Sequence, residues 1–179
     1  AILGVRDSVV FDAGAYVPWG IVEPIITATG VPGPYKLPAY HCRMRVAYTN
    51  RVPVAPIRGA GRPQAVFVME RMLDRAAQAL GLDPASIRFR NLIQPEDMPY
   101  AMGLMGRDGS PVVYDSGDYP ACLRQALDMI GYDGFREEQE RARQAQIEAA
   151  LTQGRQFLDA RKWDEAKAEC SKVLQFDPS

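Results

Sequence analysis

One histidine, three cysteines and no long apolar run set the first limits on this 179-residue chain. His41 is the single imidazole and has no visible acid or nucleophile partner, so it reads as a structural residue rather than a catalytic one. Cys42, Cys122 and Cys170 are too widely spaced for a zinc or iron–sulfur cluster and odd in number for a disulfide framework. They read as reduced thiols, and no metal site of the chain's own is expected. Charge of one sign is also lacking: 21 Lys and Arg stand against 22 Asp and Glu, a formal net charge of -1. Phosphate binding along a nucleic acid needs a basic excess, so that class of partner is excluded. Asp12, Glu23 and several prolines and glycines cut the apolar stretches well short of the ~20 residues that a membrane span needs. No signal-peptide pattern is visible, and a cytoplasmic location is expected.

What is present is enough apolar material for a core, at 47% hydrophobic and 24% charged. Residues 1–6 read as the middle of a β-hairpin with one strand missing, an expectation of a truncated N-terminus. Val9 to Phe11 extend that run to Asp12, after which Gly14 breaks it. Residues 17–40 are loop-rich, with a short helix predicted over 21–29. Residues 42–48 alternate as a strand, placing Arg43 and Arg45 on a solvated face and Cys42, Met44 and Val46 on the other. Residues 64–80 form the clearest helix. Val66, Met69, Met72, Leu73, Ala76, Ala77 and Leu80 recur at three- and four-residue steps, the methionines as core filler, and Gly81 ends it. Asp83-Pro84 opens a further helix, Asp108-Gly109 suits the turn of a small hairpin, and Asp118 caps a helix that turns Leu123, Leu127 and Ile130 inward. A polar helix is predicted over 135–145.

The stretch Arg58-Gly59-Ala60-Gly61-Arg62-Pro63-Gln64 carries the chemistry. Two glycines and two arginines ahead of a helix can cradle an anionic ligand, since the missing β-carbons open the main chain and the helix dipole aims its positive end there. The P-loop Lys-Ser/Thr pair and the third glycine of a dinucleotide fingerprint are absent. On the residues alone, an ordinary strand-to-helix turn is the favoured reading and an anion cradle the other.

The surrounding sequence resembles the molybdenum-binding large subunit of the xanthine dehydrogenase, aldehyde oxidase and carbon monoxide dehydrogenase family. The resemblance runs over residues 2–143. It rests on Asp12-Ala13-Gly14-Ala15-Tyr16, Gly33-Pro34-Tyr35-Lys36-Leu37-Pro38, Thr49-Asn50, the arginine-glycine loop, Glu70-Arg71, Asp83-Pro84, Arg90-Asn91-Leu92-Ile93 and Tyr114-Asp115-Ser116-Gly117. It implies a partial molybdopterin-binding domain. Arg58 would lie nearest the cofactor, with Gly59, Ala60 and Gly61 as the loop wall, and the pterin would be in its cytosine dinucleotide form. It further implies iron–sulfur and flavin subunits or domains as partners in the complete enzyme. Purine-oxidising members carry a substrate arginine where Ile26 stands and a ring-stacking phenylalanine where Ala60 stands, so xanthine is not the expected substrate. The copper-binding cysteine segment of true carbon monoxide dehydrogenases is also missing. Aldehydes or N-heterocycles are the expected substrates. The family's catalytic glutamate region is not found, so no catalytic residue is assigned, and the chain alone is expected to be inactive and to hold no cofactor.

Residues 147–179 resemble one tetratricopeptide repeat, with Gly154 and Phe157 in a first helix, Ala166 at a close contact in a second, and Asp177-Pro178 at the end. Ala150 and Gln153 depart from that pattern, and a plain helical hairpin stays open. The helix break is predicted over 160–163. The resulting expectation is an α+β chain: a partial molybdopterin-binding domain over 1–145 and an antiparallel α-hairpin over 146–179. An oxidoreductase fragment is the first functional reading. A scaffold whose tail recruits a protein partner, or a gene fusion without evolved function, is the alternative.

Overall fold

The structure, a computed structural model, describes residues 1–16 and 19–176. They form two compact units, Ala1–Cys122 and Leu123–Ser179.

In the first unit, β1 (Val5–Gly14) and β2 (Tyr40–Tyr48) pair in parallel, with Val5 opposite Tyr40 and Phe11 opposite Val46. A parallel pair needs a crossover, and α1 (Val22–Gly30) supplies it. Within this chain the partner of the N-terminal run is the strand beyond α1. Both strands alternate half-buried and exposed residues, with Arg43 and Arg45 on the exposed face as the pattern requires. The register shifts between Asp12 and Gly14. There the Asp12 carboxylate accepts from the Thr49 hydroxyl at 2.7 Å and from the Gly14 amide at 3.0 Å. The Thr49 bond, foremost, holds the Asp12 carboxyl below its usual range.

α2 (Arg62–Ala79) packs on α1, and Gly30 makes this possible: a β-carbon there would stand 3.0 Å from the Ala65 β-carbon. Ala65, Met69, Leu73 and Ala77 are buried at strict four-residue steps. This stripe is narrower than the sequence pattern. Val66, Met72 and Leu80 are 58%, 58% and 65% exposed, so Met72 is not core filler. α1 and α3 (Pro84–Phe89) cover one side of α2 only. Asp83 caps α3 by accepting from the Ser86 amide at 2.8 Å, and Ile87, Leu92 and Ile93 complete the core with Val31. β3 (Tyr100–Met105) and β4 (Pro111–Tyr114) form an antiparallel hairpin with Gly109 in the left-handed region of its turn, as the Asp-Gly pair predicts.

The unit boundary falls within α4 (Tyr119–Met129), whose first turn donates the Ala121 amide to Asp118 at 2.9 Å. The expected apolar face of α4 is not buried: Leu123 and Leu127 are half-exposed and Ile130 is 69% exposed. In the second unit, α5 (Tyr132–Asp159) runs unbroken through the position where a polar helix was expected to end near residue 145. Ala145-Gln146-Ile147 contains neither glycine nor proline, and nothing there stops a helix. The break comes at Ala160 to Lys162, with Arg161 at φ 57°, followed by α6 (Trp163–Phe176). Ala150 and Gly154 of α5 and Ala166 and Glu169 of α6 are buried, and Gly154 lies against the Glu169 β-carbon. The Asp177-Pro178 pair lies outside the described residues.

Candidate functional site

The arginine-glycine loop is a turn of three successive positive φ angles: 106° at Gly59, 44° at Ala60 and 94° at Gly61. Ala60 pays a steric penalty there that glycine would not, about 1–2 kcal/mol for an L-residue. Two bonds close the turn, Ala60 N–H to the Ile57 carbonyl at 2.9 Å and Arg62 N–H to the Gly59 carbonyl at 3.0 Å. Gly61 then serves as the N-cap of α2, and its carbonyl accepts from Ala65 N–H at 3.1 Å.

The two glycines do not open the main chain toward a ligand, as their sequence suggested. A β-carbon on Gly59 would meet the Pro63 ring at 3.3 Å, and one on Gly61 would stand 2.6 Å from the Thr27 hydroxyl and overlap the Glu23 carbonyl. Their bare sides face the protein. Gly61 is buried against α1, Gly59 and Ala60 are half-buried, and Arg58 and Arg62 are exposed. Neither arginine has an ion-pair partner among the described residues, and the first turn of α2 carries no acid. What the loop offers outward is therefore a pair of free guanidinium groups at a helix N-terminus, a setting that suits an anion.

Beside it lies a cleft of about 520 Å³ bounded by Ile26 and Thr29 of α1, Arg62 and Val66 of α2, and Asp108 and Tyr114 of the β-hairpin. Arg62 belongs to this cleft; Arg58 does not line it. A hollow of similar size, about 530 Å³, runs along α5 past Glu148, Thr152 and Gln153, and it holds none of the residues singled out in the sequence. Among the described residues, no group of three His, Cys, Asp or Glu side chains is placed to hold a metal ion. His41 is exposed on β2.

The sequence landmarks clasp one another. Tyr35 donates to the Glu70 carboxylate at 2.7 Å, Lys36 N–H bonds the Asn91 carbonyl at 2.8 Å, and Ile93 N–H bonds the Pro34 carbonyl at 2.9 Å. Tyr114 donates to the Gly33 carbonyl at 3.1 Å. Arg88, which sequence reading missed, grips both Glu70 at 2.7 Å and Asp74 at 2.8 Å across α2 and α3. Thr27 was missed as well. Its hydroxyl lies 3.1 Å from the Gly61 carbonyl, a contact 34 residues distant that no local pattern signals.

Residues 1–92, just over half of the chain, match the family model described as the molybdopterin cofactor-binding domain. The chain belongs to that family. The chain is 37% identical over 145 residues to the 6-hydroxypseudooxynicotine dehydrogenase complex subunit gamma of Paenarthrobacter nicotinovorans, covering 79% of the chain and 18% of that relative. It is 37% identical over 144 residues to the carbon monoxide dehydrogenase large chain of Hydrogenophaga pseudoflava, covering 77% of the chain and 17% of the relative. Among solved structures it resembles quinoline 2-oxidoreductase from Pseudomonas putida 86, with a TM-score of 0.66 and 32% identity over 80% of the chain and 18% of that protein. The chain thus spans less than a fifth of the length of these relatives. Among the described residues no helix is long and apolar enough to cross a membrane.

Proposed function

We propose that this chain is one portion of the large subunit of a molybdenum-dependent hydroxylase, in which Arg58, Gly59, Ala60 and Gly61 form one wall of the pterin pocket. The observation that carries this reading is the strained turn packed on α1, which leaves Arg58 and Arg62 as unpaired cations at the start of α2. These residues fit an anionic pterin cofactor. Arg58 supplies the charge nearest to it, Ala60 the small apolar surface, and the glycines the backbone path that brings both forward. A bound molybdenum-pterin group, in its cytosine dinucleotide form, supplies the redox chemistry of hydroxylation; the chain's own residues bind and orient it.

The substrates are aldehydes or N-heterocycles. Ile26 on the wall of the 520 Å³ cleft supports this, being an apolar side chain that favours an uncharged ring over a polar purine. Iron–sulfur and flavin subunits or domains of the complete enzyme, located in the cytoplasm, carry the electrons away. The partial domain extends over 1–145, and 146–179 form a tetratricopeptide-like antiparallel hairpin open to a protein partner. The small residues Gly154 and Ala166 at the α5–α6 contact support that reading of the tail.

Two measurements check the assignment. One loop cannot replace the many donors that grip a pterin dinucleotide, so the purified 179-residue chain is expected to contain no stoichiometric molybdenum. Metal analysis finding one molybdenum per chain, with hydroxylase turnover, would refute this. In the complete enzyme, Arg58→Ala should lower cofactor content or turnover while changing stability by less than about 0.5 kcal/mol, as expected for an exposed side chain. Normal specific activity together with a large drop in melting temperature would make Arg58 a structural brace instead.

A further inference from the structure

We propose that Thr27 is a positioning residue for the cofactor loop: its hydroxyl ties α1 to Gly61 and so fixes where Arg58 and Ala60 stand. The step to the cofactor rests on the proposed function. The step to the loop rests on geometry alone.

Thr27 is buried on α1, and its single hydroxyl proton faces two carbonyl oxygens, Glu23 at 2.9 Å and Gly61 at 3.1 Å. The first contact is the bond that a threonine within a helix ordinarily makes to its own preceding turn. The second is not. Thr29, two residues further on, bonds only within its own helix, to the Ile25 and Ile26 carbonyls at 3.0 and 3.3 Å. Thr27 alone of this pair reaches across to the loop.

The loop needs such a tie. Three positive φ angles in a row, one of them at an alanine, form a turn that persists only when its surroundings over-determine it. The two bonds that close the turn lie within residues 57–62 and leave its position on α1 unspecified. Gly61, with room for no β-carbon against Glu23 and Thr27, supplies the close approach, and the Thr27 hydroxyl supplies a directional bond at that point. Ile26, the adjacent residue of α1, lines the 520 Å³ cleft. One turn of α1 therefore sets both the cleft wall and the placement of the loop.

The test compares Thr27→Val, which keeps the shape and removes the donor, with Thr27→Ser, which keeps the donor and removes a methyl group. Arg58–Gly59 is a bond of trypsin specificity that follows an exposed arginine in the loop, whereas Arg45 and Arg75 sit in β2 and α2 as internal controls. Cleavage that is slow relative to reclosing follows the population of the open form. In the 179-residue chain, Thr27→Val should raise the rate of cleavage after Arg58 roughly tenfold relative to Arg45 and Arg75, the scale of losing one buried hydrogen bond. Thr27→Ser should stay within about twofold of the parent, since it preserves that donor. Cuts that rise together at all three arginines, or a serine variant that behaves like valine, would overturn the positioning role. In the complete enzyme, pterin released on denaturation should fall in Thr27→Val and be retained in Thr27→Ser. Selective loosening at Arg58 with unchanged pterin content would overturn the cofactor reading of the loop, and with it the function assigned to Thr27, while leaving the α1 tie itself standing.

Discussion

Replacing Gly61 with alanine is expected to cost about 3 kcal/mol, combining a left-handed penalty of roughly 1–2 kcal/mol with a backbone clash. Its φ of 94° is unfavourable for any L-residue, and the added β-carbon overlaps the Glu23 carbonyl and crowds the Thr27 hydroxyl. The obstacle is main chain, which cannot swing aside as a flexible side chain would. Gly81 provides the control. It also has positive φ, 61°, but a β-carbon there meets nothing within 4 Å, so Gly81→Ala should cost only the conformational part, about 1 kcal/mol. The chain has two tryptophans, and with Trp163 changed to phenylalanine, Trp19 alone reports on the first unit. Urea titrations followed by its fluorescence measure both variants. Equal losses at the two glycines would show that the loop does not press on α1.

Arg88→Met should be nearly as damaging to the first unit, at about 2 kcal/mol after allowance for partial solvent screening. The guanidinium is only 15% exposed and bonds Glu70 and Asp74 as well as the Pro84 and Glu70 carbonyls. Removing it takes away the cation that Glu70 and Asp74 share, leaving Glu70 the Tyr35 hydroxyl and Asp74 the exposed Arg71. Arg71, 60% exposed, pairs with the same Asp74, yet Arg71→Met should change the urea midpoint by less than the equivalent of about 0.5 kcal/mol. The same network has an alkaline limit. Burial, and then the bond to Glu70, push the Tyr35 phenol above its ordinary range. With the folded value above the unfolded one of about 10, the stability linked to Tyr35 is fully present below that pH and is lost as pH rises and only the unfolded chain ionises. Tyr35→Phe should flatten the alkaline fall in urea midpoint; an unchanged slope would assign that fall to other tyrosines.

Local signals in the sequence located most of the elements. Asp83-Pro84 and Asp118 start helices because a side-chain oxygen meets an amide three residues on. The alternation in β2 and the Asp-Gly turn are equally short-range. The same reading gave too wide a core. Val66, Met72, Leu80 and Ile130 obey helical periodicity yet stand exposed, since periodicity says which residues share a face but not whether a neighbour covers it. The polar helix expected to stop near residue 145 continued for the complementary reason: a change in character along the sequence is not a backbone stop.

At the site the division is sharper. The sequence by itself determined that residues 58–64 carry a glycine-bearing, doubly cationic turn into a helix, because glycine's freedom and arginine's charge are properties of single residues. It also determined the family, since Tyr35, Glu70, Asn91 and Tyr114 appear in order. Only the tertiary structure decided what those residues do. Tyr35 meets Glu70, Lys36 meets Asn91, and Tyr114 meets Gly33, so these landmarks hold the frame. Only the fold, too, revealed that both loop glycines turn their bare sides to the protein and that Thr27 ties Gly61 to α1. Hydrogen bonds and close contacts form between residues far apart in the chain, and the packing of α1 on α2 that creates them is a sum over many side chains that no local window contains.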